Sequence, residues 1–325
     1  MVSFPDPLAS PFRVDRPALD RAKFRDPLVT AKGEARAVVP LTGLETLWFN
    51  TGTRCNLACA TCYIESSPTN DALVYLSAAE IAGYLDEIAA LVLPTREIGL
   101  TGGEPFMNRE IMAILADCLD RGFRVLVLTN AMRPMRRQEA ALLALRHTHG
   151  DRLTLRVSLD HHTRAVHEAE RGGNTWRKAI DGLGWLATHG FRIAVAGRQL
   201  AGETPDQARA GYAALLTAIG IALDVSDPER LVLFPEMDAA ADIAEISEGC
   251  WSILGKSPAS VMCATSRMVV KRRGAPAPSV AACTLLPYQA DFDMGMTLAQ
   301  ASRPVALNHP HCARFCVLGG ASCSG

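Results

Sequence analysis

Short apolar runs alternate with longer stretches of helical period from about residue 44 onward. Six of these runs have the length and composition of buried strands, with Val, Ile, Leu and Phe enriched and turn residues on either side. The predicted strands are 44–51, 97–101, 123–129, 153–159, 191–196 and 230–234. The stretches between them predict helices.

Several of the predicted helices have recognisable ends. Ser77 with Glu80 three residues later forms a capping box, and Thr204 precedes Pro205, a residue favoured at the first helical position. Gly122 ends a third helix. The apolar positions at helical spacing are Ile81, Leu85, Ile88 and Val92, then Ile111, Ile114, Leu115 and Cys118, then Tyr212, Leu215 and Ile219. We expect these side chains to face the core.

Strands that alternate with helices predict repeated βα units on a parallel sheet. Six strands cannot close an eight-stranded barrel, so the predicted fold class is α/β, a partial (β/α)6 TIM-like barrel with its site at the carboxyl ends of the strands. Residues 36–240 are assigned to this barrel. Residues 241–325, with two further short strands at 267–271 and 279–283, predict a separate small domain, and residues 1–35 a surface extension or partly disordered segment.

Composition narrows the partners and the compartment. The 33 basic and 34 acidic residues leave a net charge of −1, which does not favour a nucleic-acid partner. No stretch has the length of a membrane span or the pattern of a signal peptide, so we expect a cytoplasmic protein without a membrane partner. In that compartment the ten cysteines favour metal ligands and free thiols over disulfides.

Three cysteines follow directly on the first predicted strand: Cys55, Cys59 and Cys62. A loop this short can surround one [4Fe–4S] cluster, and three thiolate ligands leave the fourth iron open to a reactant. A structural zinc site would require a fourth nearby ligand, which this loop does not offer. The spacing therefore predicts a reactive iron–sulfur cluster.

This loop resembles the C-x3-C-x-aromatic-C motif of the radical S-adenosylmethionine (radical SAM) superfamily. The resemblance implies that the open iron chelates the methionyl amino and carboxylate groups of SAM, and that reductive cleavage yields a 5′-deoxyadenosyl radical. Thr61 departs from the motif, because it stands where the family has an aromatic residue near the adenine. Tyr63 or another side chain is expected to take that place.

Other residues resemble the cofactor-binding positions of the same superfamily. Gly102, Gly103 and Glu104, at the end of the second strand, match its GGE turn, which implies contact with the methionyl amino group. Ser158 is then expected at the ribose, and Arg171 at the methionyl carboxylate, which a guanidinium can bind with two hydrogen bonds. Asn130 matches a position near the site. No catalytic acid or base is assigned.

Most of the remaining cysteines lie in the last third of the chain. Cys263, Cys283, Cys312 and Cys316 make four ligands, a number that suits zinc or a [4Fe–4S] cluster equally. The layout resembles the Twitch and SPASM domains of radical SAM enzymes, which implies a second, auxiliary [4Fe–4S] cluster. Cys323 is a possible substitute ligand, whereas Cys118 and Cys250 are expected to be buried thiols.

The resemblance implies hydrogen abstraction from a substrate, and modification of a peptide or protein is the first choice. A small-molecule dehydrogenase or biosynthetic enzyme is the alternative. Both need an electron donor such as flavodoxin or ferredoxin. An iron–sulfur electron carrier is the non-enzyme alternative, but a carrier has no need of the methionine-binding residues.

Overall fold

The computed structural model describes residues 4–321, and its main feature is an eight-stranded sheet in the order β7-β6-β5-β4-β3-β2-β8-β9. A two-stranded sheet pairs β1 with β10. The strands are β1 Val38–Val39, β2 Thr46–Asn50, β3 Glu97–Thr101, β4 Arg124–Thr129, β5 Leu153–Ser158, β6 Arg192–Arg198, β7 Leu231–Phe234, β8 Ser266–Val270, β9 Ser279–Ala281 and β10 Val305–Ala306.

The helices lie between the strands of the larger sheet and in the C-terminal tail. They are α1 Ala78–Ala90, α2 Ile111–Asp120, α3 Arg133–Arg136, α4 Glu139–His149, α5 Arg164–Arg171, α6 Thr175–Thr188, α7 Pro205–Ala218 and α8 Cys250–Leu254. A short π-helix spans Cys312–Leu318.

Strands β2 to β7 are mutually parallel and adjacent in chain order. They coincide with the six predicted strands to within two residues at each end, so the predicted α/β class with a partial barrel is confirmed. β7 and β9 form the two edges of the sheet in the described residues, and the barrel stays open. The carboxyl ends of all six strands face one side, where the loops that follow them meet.

The two strands predicted for the tail are present, but they extend the barrel sheet. β8 pairs in parallel with β2, and β9 pairs antiparallel with β8. Every residue of β8 is buried, which suits a strand covered on both faces. The tail is therefore joined to the barrel through sheet hydrogen bonds instead of standing apart as predicted. The boundaries at residues 36 and 241 remain predictions.

The predicted helix ends are largely correct. The Ser77–Glu80 capping box is present, and Thr204 and Gln207 form a second one at the start of α7. Val92 is an exception. α1 has already ended at its cap Leu91, and Val92 has φ +52° and is 87% exposed. The predicted core position at Val92 is therefore wrong, because the helical period runs on past the last helical residue.

The N-terminal segment packs against the barrel over the part that the structure describes. Phe12 is 1% exposed, and an isolated bridge pairs Ala18 with Ala241. Phe12 therefore lies in the interior, and the assignment of residues 1–35 to a separate extension stays a prediction. Within residues 4–321, no helix combines the length and apolar character that a bilayer crossing requires.

Candidate cofactor and cluster sites

A cavity of about 950 Å³ opens at the carboxyl ends of the barrel strands. The cluster loop after β2 forms one wall, and the turns after β3, β4 and β5 form the others. Nine of the predicted site residues line it: Cys55, Cys59, Cys62, Tyr63, Gly102, Gly103, Asn130, Ser158 and Arg171. The structure therefore brings together residues that are more than a hundred positions apart in sequence.

Backbone hydrogen bonds fix the three-cysteine loop. The Cys55 N–H donates to the Ser67 carbonyl at 3.0 Å. Two sulfur atoms accept from backbone N–H groups, Cys55 Sγ from Leu57 and Cys62 Sγ from Ser66, both at 3.4 Å. N–H donors aimed at sulfur stabilise a thiolate, and donors of this kind tune iron–sulfur clusters.

Two thiols of this loop, Cys55 and Cys59, need a cationic partner to ionise. Burial raises the pKa of Cys55 to about 12, and burial also raises the pKa of Cys59. Bound metal overcomes such a shift because a coordinating thiol is deprotonated outright. In the described residues, the three sulfurs do not all lie within 4.8 Å of one another, whereas one zinc ion with bonds of about 2.3 Å would hold them within about 4 Å. Their spacing fits a cluster better than a single ion.

The turn after β3 brings its backbone close to the cluster loop. A Cβ on Gly103 would lie 2.2 Å from the Arg54 carbonyl oxygen, and Gly102 has φ +137°. Only glycine fits both positions. The Glu104 carboxylate accepts from the Thr129 hydroxyl and the Asn130 N–H, each at 2.8 Å. In this structure Glu104 thus braces β3 against β4, and its predicted contact with an amino group remains a prediction.

Burial affects the charge of Glu104. It raises the pKa of the carboxyl to about 7, although the hydrogen bonds from Asn130, Thr129 and Phe106 oppose the shift. The group therefore titrates close to neutral pH. A carboxyl of this kind can change charge when a cation approaches it.

Arg171, at the end of α5, pairs with Asp160 instead of standing free. Its Nε donates to Asp160 Oδ2 at 2.7 Å and its Nη2 to Oδ1 at 3.0 Å. Burial alone would raise the pKa of Asp160, but the Arg171 charge holds it below its usual value. Two of the guanidinium nitrogens are thus in use. The predicted contact of Arg171 with a carboxylate ligand remains a prediction.

Thr61 belongs to a buried polar network that the sequence did not predict. Its N–H donates to Glu170 Oε1 at 2.8 Å, and its hydroxyl contacts both Glu170 and Arg198. Arg198 Nη1 donates to the same Oε1 at 2.9 Å, while Ser10 Oγ donates to Oε2 at 2.7 Å. The Phe12 ring covers the Arg198 guanidinium at 4.5 Å. The family motif has an aromatic residue at the position of Thr61. In this chain, Thr61 is instead held by hydrogen bonds to the buried Glu170–Arg198 ion pair.

The motifs did not predict Glu170 and Arg198 of this network as site residues, and they did not predict Asp160 either. Asp160, Glu170 and Arg198 all line the cavity. The departure at Thr61 was itself a signal, because a threonine at an apolar position calls for a polar partner. Tyr63 lines the cavity too, and its predicted place near the adenine remains a prediction.

A second cavity, of about 340 Å³, lies in the tail. The four predicted tail ligands line it: Cys263, Cys283, Cys312 and Cys316. They come from three segments, a turn before β8, the end of the β8–β9 hairpin, and the π-helix. Burial raises the pKa of Cys263 to about 11 and also raises that of Cys312 well above its usual value. Cys323 lies outside the described residues. Cys118 is fully buried as predicted, whereas Cys250, also predicted to be buried, is only partly buried.

Residues 49–209 match the Radical SAM superfamily. The chain belongs to that superfamily. The match begins within β2 and includes β3 to β6. It therefore covers the three-cysteine loop and the glycine turn, which line the cavity. It leaves out the four tail cysteines.

One curated relative is the antilisterial bacteriocin subtilosin biosynthesis protein AlbA of Bacillus subtilis (strain 168). This radical SAM chain is 31% identical to AlbA over 169 residues, which are 52% of the chain but 35% of AlbA. The aligned region thus spans about a third of that relative.

Solved structures support the fold. Streptococcus suis SuiB bound to S-adenosylmethionine matches 78% of this chain and 63% of SuiB, with a TM-score of 0.56 at 12% identity. A second match, anSMEcpe with bound AdoMet, covers 79% of this chain and 77% of that one, with a TM-score of 0.53 at 14% identity. At these identities the similarity establishes a shared architecture.

Proposed function

We propose that this radical SAM protein binds SAM at the cluster held by Cys55, Cys59 and Cys62, cleaves it reductively to a 5′-deoxyadenosyl radical, and abstracts hydrogen from a peptide or protein. The observation that carries the proposal is the convergence of three thiols and the Gly102–Gly103 turn on one cavity of about 950 Å³. An electron carrier needs no cavity of that size beside its cluster, because electrons transfer without a bound substrate.

The residues around the cavity supply distinct functions. Gly102 and Gly103 let the backbone approach a ligand, and Ser158 offers a hydroxyl at the end of β5. The buried Asp160–Arg171 pair gives a fixed dipole beside the thiols. Such groups orient a cofactor and keep water out, while the cofactor itself supplies the radical chemistry.

An auxiliary [4Fe–4S] cluster in the tail is part of the proposal. Four thiols around one small apolar cavity supply the ligand number that a closed cluster takes. Its proposed role is to accept an electron from the substrate radical, which makes the net reaction an oxidation. Cys323 could replace one of the four ligands.

The proposed substrate class draws on two relatives. AlbA is a bacteriocin biosynthesis protein, and SuiB has been solved bound to the precursor peptide SuiA. The chain spans only a third of AlbA in their alignment, so the whole reaction of that protein is carried over here as a proposal.

The test is an anaerobic assay of the full chain reconstituted with iron and sulfide. We expect dithionite and SAM to give 5′-deoxyadenosine and methionine, detected by mass spectrometry. A peptide encoded beside the gene should then lose two hydrogens or gain a cross-link. Iron-loaded protein that forms no 5′-deoxyadenosine would overturn the enzyme proposal. Cleavage without change in any peptide, but with oxidation of a small molecule, would overturn the substrate class alone.

A further inference from the structure

Two histidines and a glutamate meet beside the cavity, outside the cysteine sites. His161 and His162 lie in the loop after β5, and Glu203 lies between β6 and α7. Within residues 4–321, His, Cys, Asp and Glu side chains form one group of three or more whose ligand atoms all lie within 4.8 Å of one another, and it consists of these three residues. His161 is 5% exposed, and the other two side chains are 19% and 16% exposed.

The three side chains face each other at distances too long for direct hydrogen bonds. His161 Nε2 lies 3.9 Å from Glu203 Oε2, and His162 Nδ1 lies 4.0 Å from Glu203 Oε1. His162 Nδ1 and Glu203 Oε2 are buried and have no hydrogen-bond partner. Buried polar atoms without partners are rare, and they indicate a missing bridging group.

The surrounding residues hold the two imidazoles in place. A Cβ on Gly211 would lie 2.5 Å from the His162 ring, so α7 makes room for this side chain with a glycine. The Tyr212 ring packs edge-on against the same imidazole at 5.6 Å. His161 Nδ1 lies 2.8 Å from the Thr163 hydroxyl, an outer contact that can orient a metal-binding ring.

We propose that His161, His162 and Glu203 bind one Zn²⁺ ion. Two imidazoles and a carboxylate are a common zinc ligand set, and bonds of about 2.1 Å place tetrahedral ligand atoms about 3.4 Å apart. The two imidazoles stack with ring centroids 4.0 Å apart, so zinc binding requires one ring to rotate out of the stack, and each histidine–glutamate distance to shorten by about 0.5 Å. Three protein ligands leave one position for water or a substrate atom.

Such an ion would link the two loops that follow Asp160 and Arg198, residues that line the cavity. His161 follows Asp160, which pairs with Arg171, and its ring lies 6.4 Å from that of Phe12 in the N-terminal segment. Zinc would thereby fix the loop after β5 to the loop after β6. The site uses none of the cysteines and stands independently of the proposed function.

The test measures zinc in the full chain after anaerobic cluster reconstitution, removal of loose metal and addition of one equivalent of Zn²⁺. We expect about one zinc per chain in the wild type, and affinity at least about tenfold weaker in Glu203→Gln and His162→Gln. His189→Gln removes an exposed histidine and is the matched control. Glu203→Gln keeps the side-chain volume, so it reports on binding even where His162→Gln disturbs packing.

X-ray absorption at the zinc edge identifies the ligands. Nitrogen and oxygen neighbours at about 2.0–2.1 Å are expected, whereas sulfur at about 2.3 Å would mean zinc in a cysteine site. Zinc should also raise the melting temperature of the wild type and leave that of Glu203→Gln unchanged. Sulfur ligation, or equal zinc binding in the wild type and both variants, would overturn the proposal. Loss of 5′-deoxyadenosine formation with zinc intact would count against the proposed function alone.

Discussion

The two cysteine sites are built in opposite ways. Cys55, Cys59 and Cys62 come from one loop of eight residues at the mouth of a wide cavity. The four tail cysteines come from three segments spread over more than fifty residues and line a smaller, apolar cavity. A site that binds a cofactor needs room and polar groups beside its metal, whereas a site that only holds a metal needs neither. The difference in size and lining is the reason for proposing SAM at the loop and an auxiliary cluster in the tail.

Buried arginines lie near both cysteine sites, but their partners differ. At the loop, Arg171 pairs with the Asp160 carboxylate beside the thiols. In the tail, Arg267 is 1% exposed and donates to the backbone carbonyls of Ala301 and Cys263. Its charge lowers the pKa of Cys263, although burial outweighs it. The loop thus pairs its buried arginine with a carboxylate, whereas Arg267 is held by backbone carbonyls.

Removing one loop thiol is the strongest way to separate the two sites. Cys59→Ala should abolish 5′-deoxyadenosine formation and reduce bound iron from about eight to about four atoms per chain, because one cubane is lost. Iron analysis and product quantification check this. Cys250→Ala, which changes a thiol outside both cavities, should retain both properties. Full iron content in Cys59→Ala would contradict the assignment.

Removing two tail thiols should have the complementary effect. Cys312→Ala combined with Cys316→Ala should also lower iron to about four per chain, yet leave SAM cleavage within a few-fold of the wild type. Peptide modification should be lost. Parallel iron, 5′-deoxyadenosine and peptide mass measurements distinguish these effects, and loss of cleavage together with the tail iron would mean that the sites are not independent.

The charged network behind the loop should contribute measurably to stability. Glu170→Gln leaves the buried Arg198 without its countercharge, and breaking a buried pair costs about 3–5 kcal/mol. Urea unfolding of the metal-free protein measures this. Asp181→Asn is the control, since the Arg177–Asp181 pair is 89% and 66% exposed and should cost under about 1 kcal/mol. Equal effects of the two substitutions would refute the structural role of Glu170.

Glu104 should make stability depend on pH. Burial raises the pKa of Glu104 to about 7 in the folded state, whereas the unfolded chain releases this proton near pH 4.5. The bound proton therefore stabilises the folded state fully below pH 4.5. This stabilisation, up to about 3 kcal/mol, is lost as the pH rises towards 7. Unfolding free energies at several pH values check this, with Glu104→Gln as the reference that lacks the titration. Parallel pH profiles would contradict the shift.

Sequence reasoning succeeded where the signal is local. The cysteine spacing, the glycine turn and the strand pattern each occupy a few consecutive residues. The strands are confirmed, and the cysteine loop and the glycine turn line one cavity. The partnership of Ser10 with Glu170 joins positions 160 residues apart, and no local pattern encodes it. The pairing of β8 with β2 was missed for the same reason, because two buried strands look alike whichever sheet they join. His161 and Glu203 likewise meet only in the fold.

The most direct test of the central claim uses the reduced, reconstituted protein with SAM labelled with ¹⁵N at the methionyl amino group. Electron–nuclear double resonance should detect ¹⁵N coupled to the cluster spin, and the coupling should persist in the Cys312→Ala, Cys316→Ala variant. Absence of coupling in the wild type, or its loss in the tail variant, would contradict the assignment of the open iron to the loop of Cys55, Cys59 and Cys62.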